Sequence, residues 1–457
     1  MKISTVILAA GAGTRMKSSI PKVLHNLMGK PLIAHVAETA SSIGSSKCII
    51  VLGNHTQAAK NILRSEKISF ALQKELDGTA GALRSAMPAL KGFEGDVLIL
   101  SGDTPLITPE LLKKFIKLHR QKHEDISVMT FEAQPPHAYG RIVRSSGKIS
   151  RIVEDRDATP DEKLITEVNS GIYLINPPAL KLIRNIPLNK AKGEYYLTDI
   201  ISIALKKGLR VGAHMLGSET ELTGINTRAE LQRASLFLRD RIVSTLMQSG
   251  VTFIDASTVF ISKETKIGQD TIIYPNVHIE GESVIGRGCI IYPNSRIIDS
   301  SLADNVVIKD STLIESSKIK SRASVGPFAH LRPGSVIGSE AKIGNFVEIK
   351  KSIIGKGSKA SHLTYLGDAV VGNDVNIGAG TITCNYDGVN KYRTDINDNV
   401  FIGSDSQLVA PVTIGKGAYV GAGSTITHNV PPGSLAISRT HQKNIKGWAK
   451  KKPAKGK

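Results

Sequence analysis

From residue 251 onward, aliphatic side chains return every six residues. Ile267, Ile273, Ile279, Ile285, Ile291 and Ile297 run without a break, and a slip of one residue leads on to Leu302, Ile308 and Ile314. The series resumes as Val325, Leu331, Ile337, Ile343 and Ile349, and again as Ile402, Leu408, Ile414, Val420 and Ile426. Many of these residues precede glycine, as in "VIGRGC", "KIGNFV" and "TIGKGA". Such a pattern fits a triangular solenoid in which each six-residue unit is one short face and each aliphatic points inward. Stacked coils bury a narrow continuous core without aromatic residues, in agreement with one Trp, 5% aromatics and 42 Gly. The expectation is a parallel β-helix over residues 251–440, and the pattern alone leaves its handedness open. Two stretches break the period: residues 350–366, which align poorly, and "TCNYDGVNKYRTD", residues 383–395, which is polar and too long for a corner. Insertions in a solenoid loop outward and often carry function.

Residues 1–226 follow a different rule. "STVILAA", "KCIIVLG", "DVLILSGD" and "DISVMTF" are short, β-branched and nearly continuous in apolar character, as parallel strands covered on both faces should be. "PLIAHVAETASSIG" and "TPELLKKFIKLHRQ" between them space apolar residues for helices. This predicts an α/β domain with a mostly parallel, Rossmann-like sheet. One long helix is expected over residues 227–250: Thr227 and Glu230 form a capping-box pattern, Leu231, Ala234, Leu238 and Ile242 share a face, and Gly250 ends it. It reads either as a linker between two domains or as a terminal helix packed on the first.

Charge narrows the partners. A formal net charge of +19 suggests polyanions: nucleic acid, anionic membrane or phosphate-bearing small molecules. Part of the excess sits in the basic tail, residues 441–457, which reads as a solvated terminus, so the expectation is no nucleic-acid partner and no membrane partner. Cys48, Cys289 and Cys384 form neither a CxxC pair nor an even disulfide framework, which suits a reducing, cytoplasmic setting. The apolar opening "MKISTVILAA" is too short for a signal peptide before it enters Gly11 and Gly13, and reads as a buried first strand.

The turn "LAAGAGTRM" invites two labels that fail. Met16 stands where the second glycine of a Walker A loop belongs, and the third glycine of a dinucleotide fingerprint is missing too. What remains is physical: Gly11 and Gly13 let the backbone approach a ligand, and Arg15 and Lys22 can reach back with charge. Asp103 ends "DVLILSGD" just past the carboxyl end of a buried strand, where open α/β sheets bind ligands, although it could equally cap the helix of "TPELL".

These residues also carry a resemblance. "LAAGAGTRM…PK", "QKELDGTAGA", "LSGDTPL", "YGRIV", "IVEDRDAT", "EVNSGIY", "GEYYLTD" and "GINTRAE" occur in the order seen in the sugar nucleotidyltransferase family. Together with the hexapeptide solenoid, residues 1 to about 448 resemble the bacterial bifunctional N-acetylglucosamine-1-phosphate uridylyltransferase/glucosamine-1-phosphate acetyltransferase family. The resemblance implies a left-handed β-helix, synthesis of UDP-N-acetylglucosamine from glucosamine-1-phosphate, acetyl-CoA and UTP with Mg²⁺, and a homotrimer with acetyl sites shared between neighbouring solenoids. The product would feed peptidoglycan and lipopolysaccharide synthesis.

For the first half, the resemblance implies that Leu8, Ala9, Ala10, Gly11, Gln73, Gly78 and Thr79 hold uracil and ribose, with Arg15 and Lys22 on the phosphates. Ser101 and Gly102 precede Asp103 in the same stretch; the family commonly has an aromatic at the position of Ser101, so a contact there is expected to differ. Asp103 and Asn226 would hold Mg²⁺, and Gly140, Glu154 and Asn169 the sugar. For the second half, acetyl transfer needs a base for the attacking amine and a donor for the oxyanion. His362 is the only histidine near the loosened repeat, and a neutral imidazole suits a base near pH 7. By resemblance, Glu348 orients His362 and the Ala379 N–H meets the oxyanion. Arg332, Lys350, Tyr365, Asn376 and Lys391 would hold glucosamine-1-phosphate, and Asn385, Tyr386, Ser404, Ala422 and Arg439 acetyl-CoA. Cys384 is a tempting nucleophile, but direct transfer from a thioester needs no acyl-cysteine.

Two rivals make different predictions. A nucleotidyltransferase with a mere scaffold solenoid should lack the His362, Asn376, Asn385–Tyr386 set, and a nucleic-acid factor on the same folds should have lost Gly11, Arg15, Lys22 or Asp103.

Overall fold

A computed structural model describes residues 2–11, 13–53, 56–63, 67–190 and 192–451, so the last six positions of the basic tail lie outside the described residues. The chain divides into two compact units, residues 1–238 and 239–457.

Unit 1 is built on one sheet. Its strands are β1 (Ile3–Leu8), β2 (Lys47–Leu52), β3 (Ile68–Leu72), β4 (Asp96–Ser101), β5 (Ile126–Glu132), β6 (Arg141–Ser145), β7 (Lys148–Val153), β8 (Glu167–Ile175) and β9 (Val211–Met215). The order is β9-β5-β8-β4-β1-β2-β3, with the β6–β7 hairpin attached to β8. The pairs β1–β2, β1–β4, β2–β3 and β5–β9 are parallel, and β8 runs antiparallel between β4 and β5. The near-continuous apolar runs are explained by burial on both faces: Val6, Ile49, Val51, Val97 and Ile99 face one core, and Ile7, Ile50, Leu98 and Leu100 the other. Helices α1 (Leu32–Ser42), α2 (Thr79–Ala86), α3 (Pro109–Gln121) and α4 (Asp199–Lys206) supply the covering layers. Thr108 caps α3 by accepting from the Leu111 N–H at 3.2 Å, so Asp103, five residues upstream, is not the cap.

Helix α5 spans Arg228–Gln248. Its capping box forms as the sequence suggests, with Glu230 N–H on Thr227 Oγ1 at 3.2 Å and Thr227 N–H on Glu230 Oε2 at 3.0 Å. Val243 and the half-buried Ile242 and Leu246 of its last turns pack on the solenoid core in unit 2.

Unit 2 is a parallel β-helix of three faces. Ile267 pairs with Ile285, Ile273 with Ile291 and Ile279 with Ile297, each eighteen residues on, so three six-residue units make one coil. The one-residue slips are coils of seventeen, as where Ile285 pairs with Leu302. Glycine follows the inward aliphatic because the next coil crowds that corner: a Cβ on Gly286 would lie 2.6 Å from the Ala303 carbonyl carbon. Buried serines and threonines stitch the coils, as where Ser335 Oγ donates to the Arg332 and Ile349 carbonyls at 2.6 and 3.0 Å. Residues 350–366 prove not to break the repeat. Ile354, Ala360 and Leu366 occupy core slots in register with Ile337, Ile343 and Ile349, and one five-residue face disguises the period. The stretch 383–395 is a true insertion: Val371 pairs with Ile396, twenty-five residues on, and the extra chain leaves a corner as a loop.

Candidate functional site

In unit 1 a cleft of about 650 Å³ opens at the carboxyl ends of β1 and β4. Leu8, Ala9, Ala10 and Gly11 line it directly after β1. Their course is fixed by neighbours: Ala9 N–H donates to Val51 O at 2.9 Å, and Gly102 N–H to Leu8 O at 2.8 Å. Gly13 takes φ 61°, and a Cβ there would meet Lys22 Cβ at 2.5 Å, so glycine lets the turn lie against Lys22. The opposite wall brings Gln73, Gly78 and Thr79. The Gln73 amide is buried and donates to Asp77 Oδ1 at 2.8 Å and Gly78 O at 3.1 Å, while Thr79 Oγ1 accepts from Leu197 N–H at 3.0 Å.

Three charged or polar groups meet at one end. The Lys22 ammonium pairs with the Asp103 carboxylate and donates to Asn226 Oδ1 at 2.9 Å. Asn226 is held by its own Nδ2 on Gly224 O at 2.9 Å and by its N–H on Glu230 Oε2 at 2.6 Å, so the capping box of α5 also sets this side chain. Near the other end stand Glu154 and Asn169. Thr198 Oγ1 donates to Glu154 Oε1 at 3.0 Å, yet burial pushes the Glu154 carboxyl above its ordinary value. Asn169 N–H donates to Gly140 O at 2.8 Å, and its Oδ1 accepts from Gly171 N–H at 2.9 Å. Ser101 also lines the cleft. Gly102 and Gly140 adjoin residues that line or support it, Asn226 reaches it through Lys22, and Arg15 lies exposed on the short turn Thr14–Met16. Sequence reasoning did not single out Tyr173, Glu194, Tyr196 or Thr198, which also line the cleft. The last three lie within "GEYYLTD", residues 193–199.

In unit 2 the register places one column of positions along a single solenoid edge. Asn345 pairs with His362. Gly380 N–H reaches Leu363 O at 3.0 Å, which sets Ala379 over His362. Asp405 N–H on Ala379 O at 2.7 Å and Gly423 N–H on Ser404 O at 2.8 Å continue the column through Ser404 to Ala422, whose carbonyl accepts from the Arg439 guanidinium at 2.5 Å. Five residues chosen for acetyl transfer thus share one edge. The Ala379 N–H has no acceptor among the described residues. His362 Nδ1 hydrogen-bonds Asn345 Oδ1 at 2.7 Å. Glu348, expected to orient His362, pairs instead with Tyr365 in register, three residues past His362, and its carboxylate takes Arg332 at 2.9 Å. Asn345 was legible only through the seventeen-residue coil that stacks it under His362.

The next edge carries the cations. Arg332, Lys350 and the looped-out Lys391 gather where the second face turns into the third, and the neighbouring Lys391 holds the Lys350 amine below its usual value. Asn385 begins the inserted loop and donates through Nδ2 to the Asp368 carboxylate, while Tyr386 bridges to Lys391 and is exposed. Tyr365 lies on the face between these two edges. Asn376 starts the first face, beyond the third edge. One chain therefore distributes the expected acetyl-transfer residues over all three edges. Partial burial raises the Cys384 thiol, which leaves little thiolate for a nucleophile.

Among the described residues no cluster of three or more His, Cys, Asp or Glu side chains could hold a metal, and no helix is long and apolar enough to cross a membrane. The family model "MobA-like NTP transferase domain" matches residues 5–166, "EIF2B subunit epsilon LbH domain" residues 247–349, and "Bacterial transferase hexapeptide (six repeats)" residues 393–428. The fold is thus a Rossmann-like nucleotidyltransferase domain followed by a left-handed parallel β-helix. The chain is 53% identical over 451 residues to the "Bifunctional protein GlmU" of Thermodesulfovibrio yellowstonii, covering 98% of this chain and 99% of that one. The protein of the same name from Geotalea uraniireducens is 49% identical over 453 residues, again 98% and 99% of the two chains. The protein from Pelobacter propionicus is 46% identical over 449 residues, 98% of each chain. A likeness of this strength over the full length, in both units, means that the chain belongs to the bifunctional GlmU family.

Proposed function

We infer that this chain makes UDP-N-acetylglucosamine in two steps. Unit 2 acetylates glucosamine-1-phosphate from acetyl-CoA, and unit 1 transfers the uridylyl group of UTP to the resulting N-acetylglucosamine-1-phosphate with release of pyrophosphate. The observation that carries the reading is that one chain holds both the Lys22–Asp103–Asn226 cleft and the Asn345–His362–Ala379 column.

In uridylyl transfer a sugar-phosphate oxygen attacks the α-phosphorus while pyrophosphate leaves in line. Both reactants are anions, so the site must supply charge and alignment. The loop Leu8–Gly11, with Gln73, Gly78 and Thr79, would hold the nucleoside, and Lys22 the phosphates. Arg15, on an exposed turn, would have to swing in from solvent. Glu154, Asn169 and the Gly140 segment would orient the sugar. The site also suits Mg²⁺. Asp103 and Asn226 turn hard oxygen donors to one point where an ammonium already sits, the donor type that Mg²⁺ takes from a carboxylate beside substrate phosphates. Bound there, Mg²⁺ would neutralise charge on the triphosphate.

In acetyl transfer the amine attacks the thioester carbonyl carbon. With Asn345 Oδ1 accepting from Nδ1–H, His362 presents Nε2 as the base that takes the amine proton. The Ala379 N–H would meet the oxyanion; its collapse expels the coenzyme A thiolate, which recovers the proton from the imidazolium. Arg332, Lys350 and Lys391 form a cation cluster ready for the sugar phosphate. Two edges of one solenoid are five residues apart, about 16 Å, from His362 to Gly367. That separation supports a homotrimer in which adjacent copies share each acetyl site. The exposed, stacked Phe328–Phe346 pair and the exposed Leu363 offer apolar surface for such contacts. Both donors, UTP and acetyl-CoA, belong to the cytoplasm, where we place the enzyme.

Separable lesions test the reading. Asp103→Ala should abolish uridylyl transfer and spare acetyl transfer, and His362→Ala should do the reverse by about 10²–10⁴-fold. Loss of both activities in either folded variant would contradict two independent sites.

A further inference from the structure

Arg141 is among the largest wholly buried side chains of the described residues, with 2% exposure. Burying a guanidinium costs several kcal/mol unless its donors are used. Its Nη1 donates to Tyr139 O at 2.7 Å and pairs with Asp155 Oδ1 at 2.7 Å, and its Nη2 donates to His137 O at 2.9 Å, while its buried Nε meets no acceptor among the described residues. The two segments it joins are those that flank the sugar end of the cleft. Gly140 lies between Tyr139 and Arg141, and Glu154 is the neighbour of Asp155. Gly140 O fixes the Asn169 N–H, and a Cβ on Gly140 would lie 3.6 Å from both Glu154 carboxylate oxygens. The fork therefore sets the separation of Gly140, Glu154 and Asn169 without touching the space between them.

The same strap reaches the metal end. The Tyr139 ring packs edge-on against Phe131 at 5.2 Å, and its hydroxyl donates to Thr223 Oγ1 at 3.1 Å. The next residue, Gly224, faces Asp103, whose Oδ1 would lie 3.0 Å from a Cβ there, and its carbonyl holds the Asn226 amide.

We propose that Arg141 is a positioning residue for uridylyl transfer, a buried clamp that sets the sugar-phosphate pocket by joining the 137–140 strap to the 154–155 segment. The proposal rests on the uridylyl-transfer reading of this cleft. A lysine at this position keeps the charge but offers one compact ammonium in place of a planar fork, and cannot hold two carbonyls and a carboxylate in the same geometry.

The test uses the full-length protein with Mg²⁺. Wild-type turnover of N-acetylglucosamine-1-phosphate with UTP comes first, since its absence would overturn the reading of the cleft and not the clamp alone. Arg141→Lys is then expected to raise KM for the sugar phosphate about tenfold or more, because a displacement of roughly 1 Å at a positioned substrate can cost 10²-fold. KM for UTP should move less than twofold, and acetyl transfer by unit 2 in the same sample should be unchanged, which also controls for protein quantity. Asp155→Asn, at the half-exposed end of the pair, should shift the same KM in the same direction by less, and carries the test should Arg141→Lys fail to fold. Equal rises in both KM values, or an unchanged sugar-phosphate KM in the folded variants, would overturn the clamp and leave Arg141 a structural residue.

Discussion

Single side chains decide which proton or charge each site can handle. Asn345 holds the Nδ1–H of His362, so Asn345→Ala should lower kcat of acetyl transfer about tenfold or more through loss of the correct tautomer, with little change in KM for acetyl-CoA and none in uridylyl transfer. Steady-state kinetics on both reactions checks this, and unchanged kcat would return the orienting role to another group. Glu154 gives a stability prediction with a definite sign. Its folded-state carboxyl titrates above its unfolded value because of burial, so the folded chain binds that proton more tightly. Stability is therefore lost as pH rises from the unfolded value through the folded one. Glu154→Gln should raise the melting temperature at pH 7–8, with the gain vanishing below the ordinary carboxylate range. Calorimetry of the full chain, with the unit 1 transition recognised by its shift on adding UTP, reads it; an equal gain at every pH would contradict the assignment. Gly140→Ala should act on substrate instead, because its Cβ would lie 3.0 Å from Ile152 Cγ2 and reach toward Glu154. KM for N-acetylglucosamine-1-phosphate should rise while KM for UTP holds.

At the level of elements, the solenoid was legible because one side-chain position per face must be aliphatic and the following corner must be small. Ile297 illustrates the first demand: it is wholly buried between Ile279 and Ile314, and Ile297→Ala should cost about 2–5 kcal/mol by denaturant unfolding of the full chain. A loss well under 1 kcal/mol would mean the coils close over the gap. The stretch 350–366 hides the period because a five-residue face shifts the count while Ile354, Ala360 and Leu366 keep their slots. In unit 1 the strands read out plainly from doubly buried apolar runs, and so did the capping box of Thr227 and Glu230. The antiparallel placement of β8 and the attached β6–β7 hairpin did not, since strand direction depends on long connections and not on local pattern. Cleft residues next to a glycine turn or a strand end were visible. Glu194, Tyr196 and Thr198 were not, because loop residues carry no periodicity. The His362–Asn345 contact was hidden for a further reason: partners seventeen residues apart are neighbours only after the coil length is known.

The whole chain joins two chemistries that need opposite surroundings. Unit 1 offers a cleft of about 650 Å³ with a lysine and oxygen donors at one end, and unit 2 offers open solenoid edges with His362 on one and a cation cluster on the next. If neighbouring copies complete each acetyl site, mixing His362→Ala protein with Lys350→Ala protein under subunit exchange should restore part of the activity that each lacks, and no recovery would confine the site to one chain. Part of the strong positive charge sits in the basic tail, and deleting residues 441–457 should leave uridylyl transfer intact. The most direct test of the account is a mass-spectrometric assay of the purified protein with glucosamine-1-phosphate, acetyl-CoA, UTP and Mg²⁺, repeated with each donor omitted. The account predicts UDP-N-acetylglucosamine from the full mixture and accumulation of N-acetylglucosamine-1-phosphate when UTP is left out. Uridylylation of supplied N-acetylglucosamine-1-phosphate with no acetylation of glucosamine-1-phosphate would contradict it, leaving the solenoid a scaffold and His362 without the role assigned to it.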